Sequence, residues 1–216
     1  MCGALLTVTE ARGKRWLSLG SVIQSIVFVD ADGRAKLTQA EEWTQLLTVC
    51  ADAWMQRLAP VDGTPQRALL LGVGGGIVAR SLLALNATVS LWLVELEQDV
   101  LEASQRFFGL MLDDERCTVR VLDASAFLEW HAAGAQQPFD VIVVDCFTDE
   151  GLAPGVADGG LLRHLPGCVA EGGLCVLNTT WSGARGEDAR RWRLRHPPSP
   201  PAPSMTDPRP HGALRT

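Results

Sequence analysis

Three carboxylates close three successive strand-like runs in this chain: Glu95 after "VSLWLV", Asp123 after "CTVRVL" and Asp145 after "FDVIVV". A fourth run, "RALLL", ends in Gly72-Val73-Gly74-Gly75-Gly76. Glu97 stands just beyond Glu95, and Asp149 just beyond Asp145. Carboxylates accept from hydroxyls and amines, and each charge-assisted bond is worth about 1.5–3 kcal/mol. A turn of glycines lets a ligand lie against bare backbone. An acid at a strand end often merely caps the next helix, and Asp123 before "ASAFLEW" fits that bland role as well. Three such acids beside one glycine turn point to a site.

The glycine turn excludes two ligands. A phosphate-binding loop of the form G-x-x-x-x-G-K-[ST] needs a lysine, and none is near. In the dinucleotide pattern G-x-G-x-x-G the third glycine would fall at Ile77. An acid-rich crevice suits hydroxyls, an exocyclic amine and a positive charge, which together describe S-adenosylmethionine. Asp145, with Asp149, is the candidate to orient an amine acceptor and take its proton.

These residues need a scaffold that brings strand ends together. From Gln66 the pattern alternates strand and helix: "RALLLGV", "VSLWLVEL", "CTVRVLDA", "FDVIVVDCF" and "GGLCVLNTTW" read as strands, with helical segments between them. The segment "GGLLRHLPGCV" before the last strand reads as a helix. Strands that are apolar throughout are buried on both faces, as in a parallel sheet covered by helices. The fold expected is α/β, a doubly wound, mostly parallel Rossmann-like sheet, in which ligands bind beyond the carboxyl ends of the strands. Residues 1–37 carry "RWLSLG", "SVIQSIVFVD" and the turn Asp32-Gly33, which predict an N-terminal β-hairpin or small sheet. Thr38 and Glu41 have capping-box spacing and predict the start of a helix whose apolar face includes Trp43, Leu47 and Met55. Residues 38–181 are expected to form the α/β domain. Residues 182–216, rich in Pro and Arg, are expected to form a disordered tail.

Composition narrows the function. A formal net charge of −6 gives no reason to expect nucleic acid or an anionic membrane as a partner. No apolar run is long enough for a transmembrane helix, and the N-terminal stretch is too short for a signal peptide, so a cytoplasmic location is expected. Six cysteines form no C-x-x-C pair, so no metal is expected.

The stretch "LLLGVGGGIVARSLL…LWLVELEQDV…CTVRVLDASAFLEW…FDVIVVDCFTDEG…GGLCVLN" resembles the class I methyltransferase fold in its spermidine-synthase-like branch. The resemblance implies that Gly72, Gly74, Gly75 and Gly76 form the nucleotide turn. It further implies that Glu95 takes the ribose, that Asp123 with Ala124 takes the adenine, and that Asp145 faces the acceptor. Aminopropyltransferases of this branch carry an Asp where Gly75 stands, and tyrosines around the polyamine; this chain has no tyrosine. Their D-[ST]-[ST]-D-P pattern becomes Asp145-Cys146-Phe147-Thr148-Asp149-Glu150. The reading therefore favours an S-adenosylmethionine-dependent methyltransferase acting on a protein or small amine. Its alternatives are a polyamine aminopropyltransferase using decarboxylated S-adenosylmethionine and a non-catalytic pseudoenzyme. The class I fold continues past strand five into two further strands. The Pro/Arg-rich sequence after Trp181 supplies none, so strand five is expected to leave an edge open to homodimer pairing.

Overall fold

A computed structural model describes residues 5–40, 42–58, 63–134 and 136–179. The expected disordered tail, 182–216, lies outside them. The chain opens with β1 (Leu6–Ala11), β2 (Lys14–Leu19), β3 (Val22–Val29) and β4 (Ala35–Ala40). These pair in sequence order as an antiparallel meander. The expected hairpin is thus a four-stranded sheet. Its first strand, "LTVTEA", was not anticipated because polar residues interrupt its apolar ones. Helix α1 (Glu42–Arg57) follows. Thr38 lies inside β4, so the capping box is corrected: strand pairing takes the residue that its spacing offered to a helix.

The second sheet is built from β5 (Arg67–Leu71), β6 (Ser90–Glu95), β7 (Cys117–Val121), β8 (Phe139–Val144) and a last strand, Val169–Leu177. Helices α2 (Ile77–Leu85), α3 (Gln98–Phe108) and α4 (Ala124–Ala133) cross between the first four strands. After β8 come a two-residue-strand hairpin, β9 (Phe147–Thr148) and β10 (Gly151–Leu152), then α5 (Pro154–Ala157) and a 3₁₀ turn at Leu162–Gly167. The last strand is β11. The helix expected over "GGLLRHLPGCV" is therefore corrected to a 3₁₀ turn with Pro166 inside it, and the short α5 precedes that segment. The run "FDVIVVDCF" is likewise not one strand, because the chain leaves the sheet after Val144 and doubles back.

All strands of this sheet are parallel, in the order β11-β8-β5-β6-β7. Alternate residues of β5 serve opposite faces. Leu70 packs with Met55, Leu82 and Leu91, whereas Leu69 and Leu71 pack with Phe127, Phe139 and Ile142. Successive leucines at 0–1 % exposure are the consequence of helices on both faces. The chain winds outward through β5, β6 and β7, then returns to β8 on the other side of β5. That reversal opens a crevice between the carboxyl ends of β5 and β8.

The antiparallel sheet docks on the same end of the molecule. Leu17 and Val27 pack with Ile77, Val100 and Phe108. The Arg15 guanidinium donates to Phe107 O, and Arg80 donates to Phe108 O and to Ala35 O. Two arginines thereby satisfy carbonyls at the C-terminus of α3, which no intrahelical donor can reach. The sheet is fixed as a wall of the crevice. Among the described residues no helix is long and apolar enough to cross a membrane.

Candidate functional site

A cleft of about 1020 Å³ lies over the carboxyl ends of β5, β6, β7 and β8. Its lining includes Gly72, Gly74, Glu95, Asp123, Ala124, Asp145 and Asp149 of the residues expected at a site. Gly75 and Gly76 do not line it. Both are buried, packed against Ser25 and Leu110.

The reason the turn is glycine lies mainly in the protein itself. A Cβ on Gly72, at φ +82°, would stand 2.2 Å from the Asp145 carbonyl oxygen. One on Gly74 would meet Ser25 Oγ at 2.9 Å, and one on Gly75 would meet Ser25 Cβ at 2.8 Å. One on Gly76 would meet Leu110 at 2.8 Å. Neighbours closer than a Cβ tolerates come from β3, from the loop after β8 and from the segment after α3.

Every backbone N–H of the turn already has an acceptor. Gly72 donates to Val94 O (2.9 Å) and Gly76 to Val73 O (2.9 Å). Val73 (2.8 Å) and Gly74 (3.3 Å) donate to Glu95 Oε2, and Gly75 donates to Ser25 Oγ (2.7 Å). Leu96 (2.9 Å) and Glu97 (3.2 Å) donate to Glu95 Oε1. Glu95 therefore shapes the turn with four backbone bonds, which occupy about all its lone-pair directions.

Asp123 plays its bland role in part. Its Oδ1 accepts from Ala126 N (3.0 Å) and caps α4 while the residue remains exposed at the cleft. Asp145 sits partly buried just past β8, accepting from Asn178 Nδ2 at 2.8 Å. Burial pushes its carboxyl up to about 6; the Asn178 hydrogen bond opposes this, and the nearby Glu95 charge adds to it. Burial also pushes the neighbouring Cys146 thiol up, so it offers no thiolate at neutral pH. Asp149 is exposed, in the turn between β9 and β10.

Several cleft residues escaped sequence reasoning. Glu42 and Trp43 enter from α1, Gln24 from β3, and Asn178 from the end of β11. Leu96 and Leu122 are half-exposed at the cleft, apolar flanks suited to a flat ring. The signal for Leu96 and Leu122 was their place beside the strand-end acids. Among the described residues seven carboxylates line the cleft (Glu42, Glu95, Glu97, Asp99, Asp123, Asp145 and Asp149), and no Lys, Arg or His does. Such a chamber attracts cations and repels anions. Among the described residues no group of three or more His, Cys, Asp or Glu is arranged to hold a metal ion.

Comparison with known proteins agrees with this architecture. The family model described as "Spermine/spermidine synthase domain" matches residues 56–182. A polyamine aminopropyltransferase of Caldicellulosiruptor saccharolyticus is 30% identical over 118 residues, covering 53% of this chain and 41% of that protein. The chain thus spans less than half the length of that curated relative. A probable spermidine synthase from Corynebacterium glutamicum superposes with a TM-score of 0.60 at 21% identity, covering 81% of this chain and 60% of the other. Human methyltransferase-like protein 13, solved in complex with SAH, superposes with a TM-score of 0.56 at 19% identity, covering 71% and 68%.

Proposed function

The chain belongs to the spermine/spermidine synthase domain family, and from that premise we propose that it transfers an aminopropyl group from decarboxylated S-adenosylmethionine to a small amine. The observation that carries this reading is the charge of the cleft: among the described residues seven carboxylates line it and no basic side chain does. S-adenosylmethionine bears an α-carboxylate beside its ammonium; the decarboxylated nucleoside bears only cations. Here all five N–H groups of residues 72–76 are bonded within the protein, and among the described residues no basic side chain lines the cleft. A further carboxylate placed among seven like charges, with no cation beside it, is costly.

When bound, the sulfonium supplies a carbon that already carries its leaving group, so no residue need protonate the departing thioether. Asp145 holds the attacking nitrogen and accepts its proton as the C–N bond forms and the C–S pair returns to sulfur. With a carboxyl at about 6, Asp145 is ionised at neutral pH yet close enough to exchange protons with an ammonium. Asp149 and Glu42 supply further negative charge to the same cleft for a second nitrogen of the acceptor. The remaining requirement is alignment, which can supply up to about 7–11 kcal/mol.

Methyl transfer from S-adenosylmethionine is the second reading. Gly75 favours it, standing where the family resemblance implies a carboxylate in aminopropyltransferases. In the structure that position is filled by Ser25 and Phe108, so an acid there would have to displace β3. The fold shared with methyltransferase-like protein 13 is compatible with either chemistry. Calorimetric titration with both nucleosides decides between them. Decarboxylated S-adenosylmethionine should bind at least tenfold tighter, about 1.4 kcal/mol. Equal or tighter binding of S-adenosylmethionine would overturn aminopropyl transfer in favour of methyl transfer, and binding of neither would leave a non-catalytic protein.

A further inference from the structure

We infer that the hydroxyl of Ser25, delivered by a β-bulge in the antiparallel sheet, is a positioning group that holds the glycine turn in its ligand-reading conformation. The inference builds on the nucleoside-binding reading above. Strand β3 pairs Ser25 with Leu17 of β2, but the next pair is Ile23 with Ser18. Gln24 is the extra residue, unpaired on its own strand. A bulge of this kind re-aims side chains that strict alternation would send to opposite faces.

Its effect here is to set two consecutive residues against the segments that border the cleft. Gln24 lines the cleft, and its Nε2 donates to Thr148 O (3.4 Å) in the hairpin after β8. Ser25 is 8 % exposed, and its Oγ accepts from Gly75 N at 2.7 Å. The Gln24 carbonyl lies 3.5 Å from the Cβ position of Gly74. One irregularity in a sheet outside the α/β core thus contacts the turn after β5 and the loop after β8. Those two segments border the crevice at the point where the strand order reverses.

Among the described residues Ser25 Oγ is the acceptor that Gly75 N finds. Without the hydroxyl that N–H would be buried and unbonded, and the turn would have to shift to regain water or another partner. A shift at Gly75 moves Gly74, which lines the cleft, and loosens the bonds to Glu95. Ser25 touches no reacting atom in this scheme.

Threonine and valine at position 25 have nearly the same shape and differ by the hydroxyl, so the pair isolates the hydrogen bond from packing. Ser25→Thr should keep decarboxylated S-adenosylmethionine affinity within about threefold of the wild type, and Ser25→Val should weaken it about tenfold or more. In turnover, the valine variant should raise KM for the nucleoside and leave KM for the amine unchanged. Amide exchange read at Gly75 in the free protein supplies an independent arm, with protection retained in the threonine variant and lost in the valine variant. Equal affinity and equal Gly75 protection in the two variants would overturn the inference. If the wild type binds neither nucleoside, the functional reading falls while exchange at Gly75 still decides whether the hydroxyl sets the turn.

Discussion

Replacing Asp145 by Asn should stabilise the protein while abolishing its chemistry, and the pH dependence of that gain is the test. In the folded state the Asp145 carboxyl is pushed from an ordinary 3.8 up to about 6, chiefly by burial. A raised carboxyl pKa means that ionisation costs folding free energy. The penalty is absent below about pH 4, where Asp145 is protonated in both states, and complete above about pH 6, where both states are ionised. About two pKa units at about 1.4 kcal/mol each sets an upper bound near 3 kcal/mol. Water in the cleft screens part of it, so about 1–3 kcal/mol is expected. Asparagine keeps an oxygen to accept from Asn178, so little packing is lost. Urea denaturation of both proteins at pH 8 and pH 4 reads the difference. Asp145→Asn should be more stable by that amount at pH 8 and nearly equal at pH 4, while turnover falls by about 10²–10⁴. A variant less stable at pH 8, or a gain of the same size at both pH values, would refute the burial argument.

Wild-type turnover should rise as pH passes through about 6 and then level, since Asp145 must be ionised to take a proton; a profile flat from pH 5 to 8 argues against its role as base. Glu95→Gln puts an amide where four backbone N–H groups donate, so it should weaken nucleoside binding at least tenfold and destabilise the fold by about 1–3 kcal/mol. Unchanged urea midpoint and affinity would remove Glu95 from both roles. Gly74→Ala should lose stability as well as binding, by about 1–3 kcal/mol, because its Cβ meets Ser25 Oγ at 2.9 Å with φ at +52°; binding lost at constant stability would show that only the ligand needs the glycine. KM for a cationic acceptor should rise severalfold between 0.05 and about 0.5 M salt, measured by initial rates, whereas a salt-independent KM would mean that the carboxylates do not attract it.

The α/β core was legible because its signals are local and redundant. Leu69, Leu70 and Leu71 form an apolar run that only a doubly covered parallel strand requires, and a helix-length segment follows it. The places where reading failed are those where two local preferences compete. Thr38 and Glu41 have the spacing of a cap, yet pairing between β3 and β4 runs through Ala40. Phe147 continues an apolar run, yet the chain turns at Asp145 because β8 has reached the end of its partners. Strand β1 has the alternation of an antiparallel strand but few large apolar residues, and it forms beside β2 in a sheet that Leu17 of β2 and Val27 of β3 anchor on α2 and α3.

The site divides along the same line. Positions set by strand ends were legible, since the topology carries Glu95, Asp123 and Asp145 to one edge of the sheet wherever the strands pair in parallel. Positions set by the approach of one sheet to another were not, and Ser25 is the clearest of them. Its neighbours in sequence are those of an ordinary strand, and nothing in "VIQSIV" announces a bulge. The glycine turn shows how the two kinds of information meet. Read alone, Gly72 to Gly76 admit two explanations, a tight turn or a ligand pressed against bare backbone. The packing distances divide the turn between these explanations. Asp145, Ser25 and Leu110 account for the missing side chains at 72, 75 and 76, while Gly74 has Ser25 behind it and the cleft before it. A turn squeezed by its own protein on one side presents a rigid surface on the other. With its N–H groups already spent within the fold, that surface carries no donor for an anion, and the carboxylates around it are left to choose a cation.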